Sequence, residues 1–112
     1  MDKLTQYRQL IMGVLTNYVE MRKVSAENAE MITIFDQEKD HYQVLAMGWR
    51  KHERIYLVIF HFDIKDGKIW AQQNASDYDI IGDLEAKGVP KSDIVLAFHT
   101  PNMRKYTDYA VA

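Results

Sequence analysis

The first 23 residues repeat apolar side chains at three- and four-residue steps. This spacing brings the apolar positions onto one face of an amphipathic α-helix. Within residues 3–23, the stripe is formed by Leu4, Tyr7, Ile11, Val14, Tyr18 and Met21. We therefore predict a long N-terminal helix whose apolar face packs against the core.

The middle of the chain has the patterns of β-strands instead. Segments rich in β-branched and aromatic residues, separated by polar turns, predict four strands at residues 30–36, 41–50, 54–64 and 68–73. The third segment is almost continuously apolar, which is typical of a central strand covered on both faces. The order of these segments predicts an antiparallel meander.

The turn between the third and fourth strands gives the strongest local signal. Asp66-Gly67 between strand sequences is typical of a two-residue hairpin, because Gly tolerates the positive φ of a type I′ turn. The register that follows pairs Lys65 with Lys68, Ile64 with Ile69, Asp63 with Trp70, Phe62 with Ala71 and His61 with Gln72. Since side chains alternate, one face holds Phe60, Phe62, Ile64, Ile69 and Ala71, and the other holds His61, Asp63, Trp70 and Gln72.

The last third of the chain predicts two shorter helices. The first spans about residues 77–87, with Asp77 as its N-cap and Gly88 as the left-handed residue after it. The second begins after Thr100 and runs through Tyr106, with a proline at its first position.

Between these helices, residues 94–98 are apolar and fit either a strand or a buried loop. The whole order predicts one α+β domain over residues 1–112. It consists of a long N-terminal helix, a four-stranded antiparallel meander, and a second helix and short C-terminal helix packed on one sheet face.

The composition indicates a folded domain of the cytoplasmic type. Apolar residues make up 47% of the 112 residues, and the absence of cysteine rules out disulfides, zinc–thiolate sites and thiol nucleophiles. No segment approaches the roughly 18 apolar residues that span a bilayer, and the first residues lack the basic-then-apolar order of a signal peptide. We therefore expect a cytoplasmic protein without a membrane anchor.

The net charge of −2 argues against a protein that grips duplex DNA alone. Such proteins usually carry a basic field, because neutralising phosphates supplies much of their affinity. No helix-turn-helix is recognisable either. Direct DNA binding stays as a weaker alternative.

Candidate catalytic chemistry centres on His61 and Asp63, which share one face of the predicted hairpin, with His99 as a third candidate. Further candidate metal ligands are His41, Asp36 and Asp40. No ordered ligand motif, GxGxxG sequence or Walker loop is present, and zinc sites usually need three or more protein ligands, whereas the pattern places only two. We predict no metal, no cofactor and no catalytic residues; the alternative is an enzyme site around His61, Asp63 and His99.

Two tryptophans indicate a protein partner instead. Tryptophan is enriched at interface hot spots, and the chain has two, Trp49 and Trp70. Two helices of unequal length cover only one face of a four-stranded sheet, so the face that carries Trp70 stays half-apolar and open. The C-terminal residues 106–112 are also unusually apolar for a chain end. We predict a homodimer, or a higher oligomer built from dimers, that buries part of the sheet face near Trp70 or the C-terminal segment. The candidate partner-binding residues are Trp49, His61, Asp63, Trp70, His99, Arg104 and Tyr106.

Five ordered segments together span essentially the whole chain: Leu4–Ile11, Asp40–Gln43 with Gly48-Trp49, Asp63–Trp70, Gly88–His99 and Met103–Ala112. In combination they resemble the XisI family of fdxN element excision controlling factors. One departure is Thr100, which stands before Pro101 where a second proline is common.

The resemblance implies a cyanobacterial-type accessory protein for site-specific excision of a DNA element. The recombinase itself is a separate protein in this family's system, and XisH is the companion named beside XisI. The family supplies no catalytic residues that can be carried over. We therefore expect a controlling factor that binds a recombinase, an XisH-like protein or both.

Overall fold

The computed structural model describes residues 2–23 and 29–112, which fold into three α-helices and five β-strands. In chain order the elements are α1 (Lys3–Lys23), β1 (Ala29–Asp36), β2 (His41–Arg50), β3 (Glu53–Lys65), β4 (Lys68–Asn74), α2 (Ile80–Ala86), β5 (Ile94–Leu96) and α3 (Pro101–Arg104). A single 3-10 turn at Lys91–Asp93 precedes β5.

The strands form one sheet in the order β1-β2-β3-β4-β5. The first four strands are antiparallel neighbours, as predicted, and each of their ends lies within one residue of the predicted position. The predicted total of four strands is wrong, because Ile94–Leu96 adds a fifth strand parallel to β4. A parallel neighbour needs a crossover connection, which α2 provides; the apolar pattern alone does not separate so short a strand from a buried loop.

β3 is the central strand of this sheet, as its apolar sequence predicted. The prediction that it is covered on both faces is wrong, since Tyr56 is 65% exposed and Leu57 42% exposed. Its later residues Ile59, Phe60 and Phe62 are buried. Only the C-terminal half of the strand therefore lies in the core.

The β3–β4 hairpin forms at the predicted turn. Asp66 and Gly67 both have positive φ, at 54° and 77°, which is the geometry of a type I′ turn. The predicted pairs from Lys65–Lys68 to Phe62–Ala71 are present. The last predicted pair is wrong, because a β-bulge after this point pairs His61 with Gln73 and leaves Gln72 as the extra residue.

The core lies between the helices α1 and α2 and one face of the sheet, which we call the core face. Its main buried residues are Tyr7, Ile11, Val14, Leu15, Tyr18 and Val19 from α1, Tyr42, Val44, Phe60, Phe62, Ile69 and Ala71 from the sheet, and Ile80, Ile81 and Leu84 from α2. The two ends of the predicted α1 stripe, Leu4 and Met21, are exposed. Because α3 buries no residue, the predicted helical layer consists of α1 and α2 without the C-terminal helix.

The two later helices are shorter than predicted. Helix α2 starts at Ile80, because Asp79 is its N-cap and accepts a hydrogen bond from the Gly82 N–H at 2.9 Å. The predicted N-cap, Asp77, does not cap it. Gly88, with φ of 102°, takes the predicted left-handed conformation after α2. α3 begins after Thr100 as predicted but ends at Arg104. Within residues 2–23 and 29–112, no helix has both the length and the apolar character needed to cross a membrane.

The C-terminal segment docks on its own domain. Ala110 forms a parallel bridge with Val95, and its N–H donates to the carbonyl oxygen of Ile94 at 2.9 Å. The Arg104 guanidinium links the chain before α3 to the C-terminal segment by donating to the carbonyl oxygens of Ala97, His99 and Val111. The apolar character of the C-terminal segment is therefore explained by packing within the chain.

Candidate functional site

The side of the sheet opposite the core face is left uncovered by α1 and α2. Strand pairing and the alternation of side chains determine which residues of β1 to β4 lie on it. We call this surface the open face, and its residues are Glu30, Ile32, Ile34, Asp36, His41, Gln43, Leu45, Met47, Trp49, Arg54, Tyr56, Val58, His61, Asp63, Lys65, Lys68, Trp70, Gln72 and Gln73.

One half of the open face, which we call the apolar end, consists of Ile32, Leu45, Met47, Trp49, Tyr56 and Val58. Tyr56 pairs directly with Met47 across β2 and β3, and Trp49 pairs with Arg54. Trp49 and Tyr56 are 56% and 65% exposed, and the Arg54 guanidinium lies 5.4 Å from the centre of the Trp49 ring. The apolar end therefore presents two aromatic rings and a stacked cation to solvent.

The other half is a cluster of polar side chains built by the register of β2 and β3. His41 lies directly opposite Asp63, while His61 precedes Asp63 by two residues and so shares its face. His41 Nδ1 and His61 Nε2 both lie 2.7 Å from the same carboxylate atom, Asp63 Oδ1. We call these three residues the His–Asp–His cluster.

Two glutamines support this cluster from neighbouring positions. The Gln43 side-chain amide lies 2.8 Å from His61 Nδ1, and Gln72 Nε2 donates to Asp63 Oδ2 at 3.2 Å. Gln72 is the bulge residue of β4, so the bulge does not remove it from the face that the hairpin pattern predicted. Every polar atom of the Asp63 carboxylate and of the His61 ring thus has a partner.

The cluster favours an ionised carboxylate. Partial burial acts to raise the pKa of Asp63, but the hydrogen bonds from His41 and His61 outweigh burial and leave this pKa below its usual range. The hydrogen bond to Asp63 also raises the pKa of His41. Asp63 is mostly covered, while His41 is half-exposed.

The structure brings together only part of the predicted partner-binding set. His61, Asp63 and Trp70 share the polar half of the open face, and Trp49 lies at its far apolar end. The Trp70 ring is held by its own domain, because Nε1 donates to the Lys65 carbonyl oxygen and the Lys65 and Arg104 cations lie 4.6 Å and 5.6 Å from the ring centre.

His99 does not complete a site with His61 and Asp63. It follows β5, two strands away from β3, and its exposed ring contacts Phe98. In the described residues it makes no hydrogen bond or ion pair with either candidate. Tyr106 is 74% exposed beyond α3 and is also separate from the cluster. The alternative enzyme site around His61, Asp63 and His99 therefore lacks its third member.

Sequence reasoning missed two features of this surface. His41 was a candidate ligand, but its position opposite Asp63 depends on the β2–β3 register, which a bulge near Val44 and Leu45 makes hard to count. Tyr56 was not selected, because it shares a face with His61 and Asp63 only through the same register shift, which leaves Ile59 unpaired and changes the alternation along β3. The His-x-Asp spacing at 61–63 was the one available signal for the cluster.

The fold and site define a small α+β domain that covers one sheet face and leaves a mixed polar and apolar face open. The XisI protein family matches residues 1–111, so the chain belongs to this family. No curated protein matches the chain.

Two solved structures show the same fold over almost the whole chain. A XisI-like protein from Anabaena variabilis is 47% identical, with a TM-score of 0.89 over 97% of this chain and 99% of the other. The fdxN element excision controlling factor XisI from Anabaena variabilis is 32% identical, with a TM-score of 0.87 over 99% of this chain and 100% of the other. The predicted family resemblance is confirmed.

Proposed function

We propose that this protein is an accessory factor that controls excision of a DNA element, and that it acts by binding another protein through the apolar end of the open face. Family membership supports the first half of this proposal, since a relative matching over nearly its full length is the fdxN element excision controlling factor XisI. A controlling factor is a regulator, which favours a role without catalysis. We propose that the protein acts in the cytoplasm.

Exposed aromatic residues at the apolar end carry the second half of the proposal. Trp49 and Tyr56 expose more than half of their side chains on a surface that also includes Met47. Tryptophan, tyrosine and arginine are the residue types most enriched at interface hot spots. All three are present here, because the Arg54 guanidinium lies over the Trp49 ring. This combination is typical of a surface that becomes buried in a complex.

The net charge supports a protein partner over DNA. The chain carries a net charge of −2. Proteins that grip a duplex alone usually carry a basic field, because neutralising phosphates supplies much of their affinity.

We propose an XisH-like protein, a site-specific recombinase or both as the partners, and a homodimer as the form of the isolated chain. A C2 homodimer is the commonest closed assembly, and pairing of two open faces would cover the same aromatic residues that we assign to partner binding. Partner binding and self-association would then compete for one surface.

The test is co-purification of this protein with a co-expressed XisH-like protein, and separately with a recombinase from the same genome. The double variant Trp49→Asp/Tyr56→Asp places charge on the apolar end and is expected to abolish co-purification, because an unpaired buried charge is costly. The matched control is Tyr106→Asp, at a site that is even more exposed but lies off the open face.

Retention of the partner by the wild type and by Tyr106→Asp, with loss in the double variant, supports the proposal. Equal binding by all three proteins would show that the partner uses another surface. No binding by the wild type to either candidate would refute the proposed partners. Circular dichroism on each variant separates loss of binding from loss of folding.

A further inference from the structure

The geometry points to a binding site for one divalent transition-metal ion of the zinc class, formed by His41, His61 and Asp63 on the open face. Each of the three residues offers a donor atom, and these atoms all lie within 4.8 Å of one another. The sequence pattern placed only two ligands, and this was the reason to predict no metal. His41, supplied by the neighbouring strand, is the third ligand that was missing.

The donor set has the chemistry of such a site. Two imidazole nitrogens and one carboxylate oxygen suit zinc and its neighbours in the first transition series. With bonds of about 2.1 Å, tetrahedral donors lie roughly 3.4 Å apart, whereas both nitrogens are now 2.7 Å from Asp63 Oδ1. The two nitrogen–oxygen distances must open by less than about 1 Å, and the two nitrogens, which lie within 4.8 Å of each other, must take up the same spacing. The His41 side chain is half-exposed, so its ring has room to move.

The ligands stand on a rigid scaffold. Asp63 and His61 lie on the central strand, and His41 is held opposite Asp63 by the antiparallel ladder of β2 and β3. Backbone hydrogen bonds therefore fix the three Cα positions before any ion binds. Sites built on strands hold their geometry better than sites built on loops.

The supporting glutamines also fit metal binding. A histidine that binds a metal through Nε2 carries its proton on Nδ1 and donates it to an oxygen acceptor. Gln43 lies 2.8 Å from His61 Nδ1, and rotation of its amide by about 180° presents Oε1 as that acceptor. Gln72 holds Asp63 Oδ2, which leaves Oδ1 directed between the two imidazole rings.

A hydrogen-bonded cluster without an ion is the competing explanation. One carboxylate oxygen can accept both hydrogen bonds, so this explanation accounts for the contacts to Oδ1. The two explanations differ in what they predict for metal titration. Three protein ligands leave a fourth position toward solvent on the open face, as in zinc sites that accept water or an external donor. The metal site does not depend on the proposed partner binding.

The first test is isothermal titration of ZnCl2 into the full chain, purified without a histidine tag and freed of metal by a chelator that is then removed. We expect one ion per chain. His41→Ala, His61→Ala and Asp63→Asn should each weaken binding by at least about tenfold. The chain has four histidines, so the matched controls are His52→Ala and His99→Ala, which should bind as the wild type does.

Asp63→Asn keeps the size of the side chain, so it remains informative if a histidine variant folds poorly. Gln43→Ala should weaken binding by a smaller factor, because it removes the support of His61 but no ligand. Weak binding that is the same in the wild type and all three ligand variants would show adventitious surface binding only and would overturn the site.

A second test needs no variant. Cobalt(II) in a tetrahedral or five-coordinate site absorbs visible light far more strongly than the hexaaqua ion, so titration of the wild type with CoCl2 should produce a visible band that saturates at one equivalent. Addition of ZnCl2 should remove the band. If the spectrum remains that of the hexaaqua ion when the protein is in excess over cobalt, the proposed site is overturned.

Discussion

The two faces of the sheet use alternate residues of the same strands and have opposite properties. On β3, Phe60 and Phe62 point into the core and are fully buried, whereas His61 and Asp63 point to the open face and stay partly exposed. On β2, Tyr42 is fully buried in the core next to the half-exposed His41. The alternation of side chains thus separates residues that stabilise the domain from residues available for binding.

This division has an energetic consequence. Burying a large apolar side chain stabilises a fold by about 1.5–3 kcal/mol, while an exposed side chain on a strand contributes mainly through its cross-strand neighbour. Substitutions on the core face should therefore change the free energy of unfolding. Substitutions on the open face should change assembly or ligand binding and leave folding nearly intact.

The largest expected effect tests this contrast directly. Phe60→Ala should lower the free energy of unfolding by about 3–5 kcal/mol, because the ring is fully buried and contacts Tyr18 edge-on at 4.9 Å. Tyr56→Ala, on the open face of the same strand, should lower it by less than about 1 kcal/mol. Urea unfolding at two protein concentrations measures both and separates folding from assembly. Equal losses in the two variants would show that the open face is part of the core.

A smaller effect is expected at the edge of the core, where α1 meets the turn before β5. Tyr7 is buried, and its hydroxyl donates to Asp93 Oδ2 at 2.5 Å, while Lys3 Nζ lies 2.8 Å from the same oxygen. Tyr7→Phe should lower the free energy of unfolding by about 2 kcal/mol, since a hydrogen bond to a charged group is lost. Denaturant unfolding at pH 7 measures this loss.

The same variant has a defined pH dependence. Burial raises the pKa of Asp93, but hydrogen bonds from Lys3 and Tyr7 outweigh burial and lower it below the ordinary 3.8. A depressed pKa stabilises the fold above pH 3.8, and this stabilisation disappears as the pH falls through the folded-state value. The difference between wild type and Tyr7→Phe should therefore be full at pH 6 and shrink below pH 4. A difference that is constant from pH 7 to pH 3 would contradict this assignment.

A weaker contact joins the C-terminal segment to α2. The Tyr109 hydroxyl donates to Glu85 Oε2 at 2.9 Å, and burial together with this bond raises the pKa of Tyr109 to about 12. Tyr109→Phe should lower the free energy of unfolding by about 1 kcal/mol at neutral pH.

The sign of the alkaline effect follows from that raised pKa. The folded state favours the neutral phenol, so its stabilisation is complete below the ordinary pKa of 10.0 and is lost as the pH rises toward 12. The wild type should therefore lose stability between pH 10 and 12 more steeply than Tyr109→Phe does. Thermal unfolding of both proteins across this range is the measurement, and parallel pH profiles would refute the contact.

The sequence predicts the covered face better than the open face, for physical reasons. The α1 helix and the Asp66-Gly67 turn are set by residues close together in the chain, and both form at the predicted positions. The fifth strand depends on pairing with β4 after a crossover, which no local pattern encodes. Two shifts of register, one of them between His61 and Phe62, also depend on contacts between strands.

The candidate site shows the same limit at the level of single residues. The spacing of His61 and Asp63 puts both on one face, since side chains alternate along a strand. His41 joins them only because the register of β2 and β3 sets it opposite Asp63. The N-cap of α2 falls on Asp79 rather than Asp77 because the Gly82 N–H lies within reach of Asp79, three residues before it.

The smallest effect on folding, and the most informative for the open face, is expected from Tyr56→Asp. Tyr56 is 65% exposed in the single chain, so charge at this position meets solvent and should change the free energy of monomer unfolding by less than about 1 kcal/mol. If two open faces pair in a homodimer, the same carboxylate is buried without a partner, which is strongly unfavourable. Light scattering at micromolar concentration should therefore give a dimer mass for the wild type and a monomer mass for Tyr56→Asp. Tyr106→Asp, at an exposed site off the open face, should remain a dimer. A clean wild-type monomer would refute the homodimer, and a dimer that persists in Tyr56→Asp but dissociates in Tyr106→Asp would move the interface to the C-terminal segment.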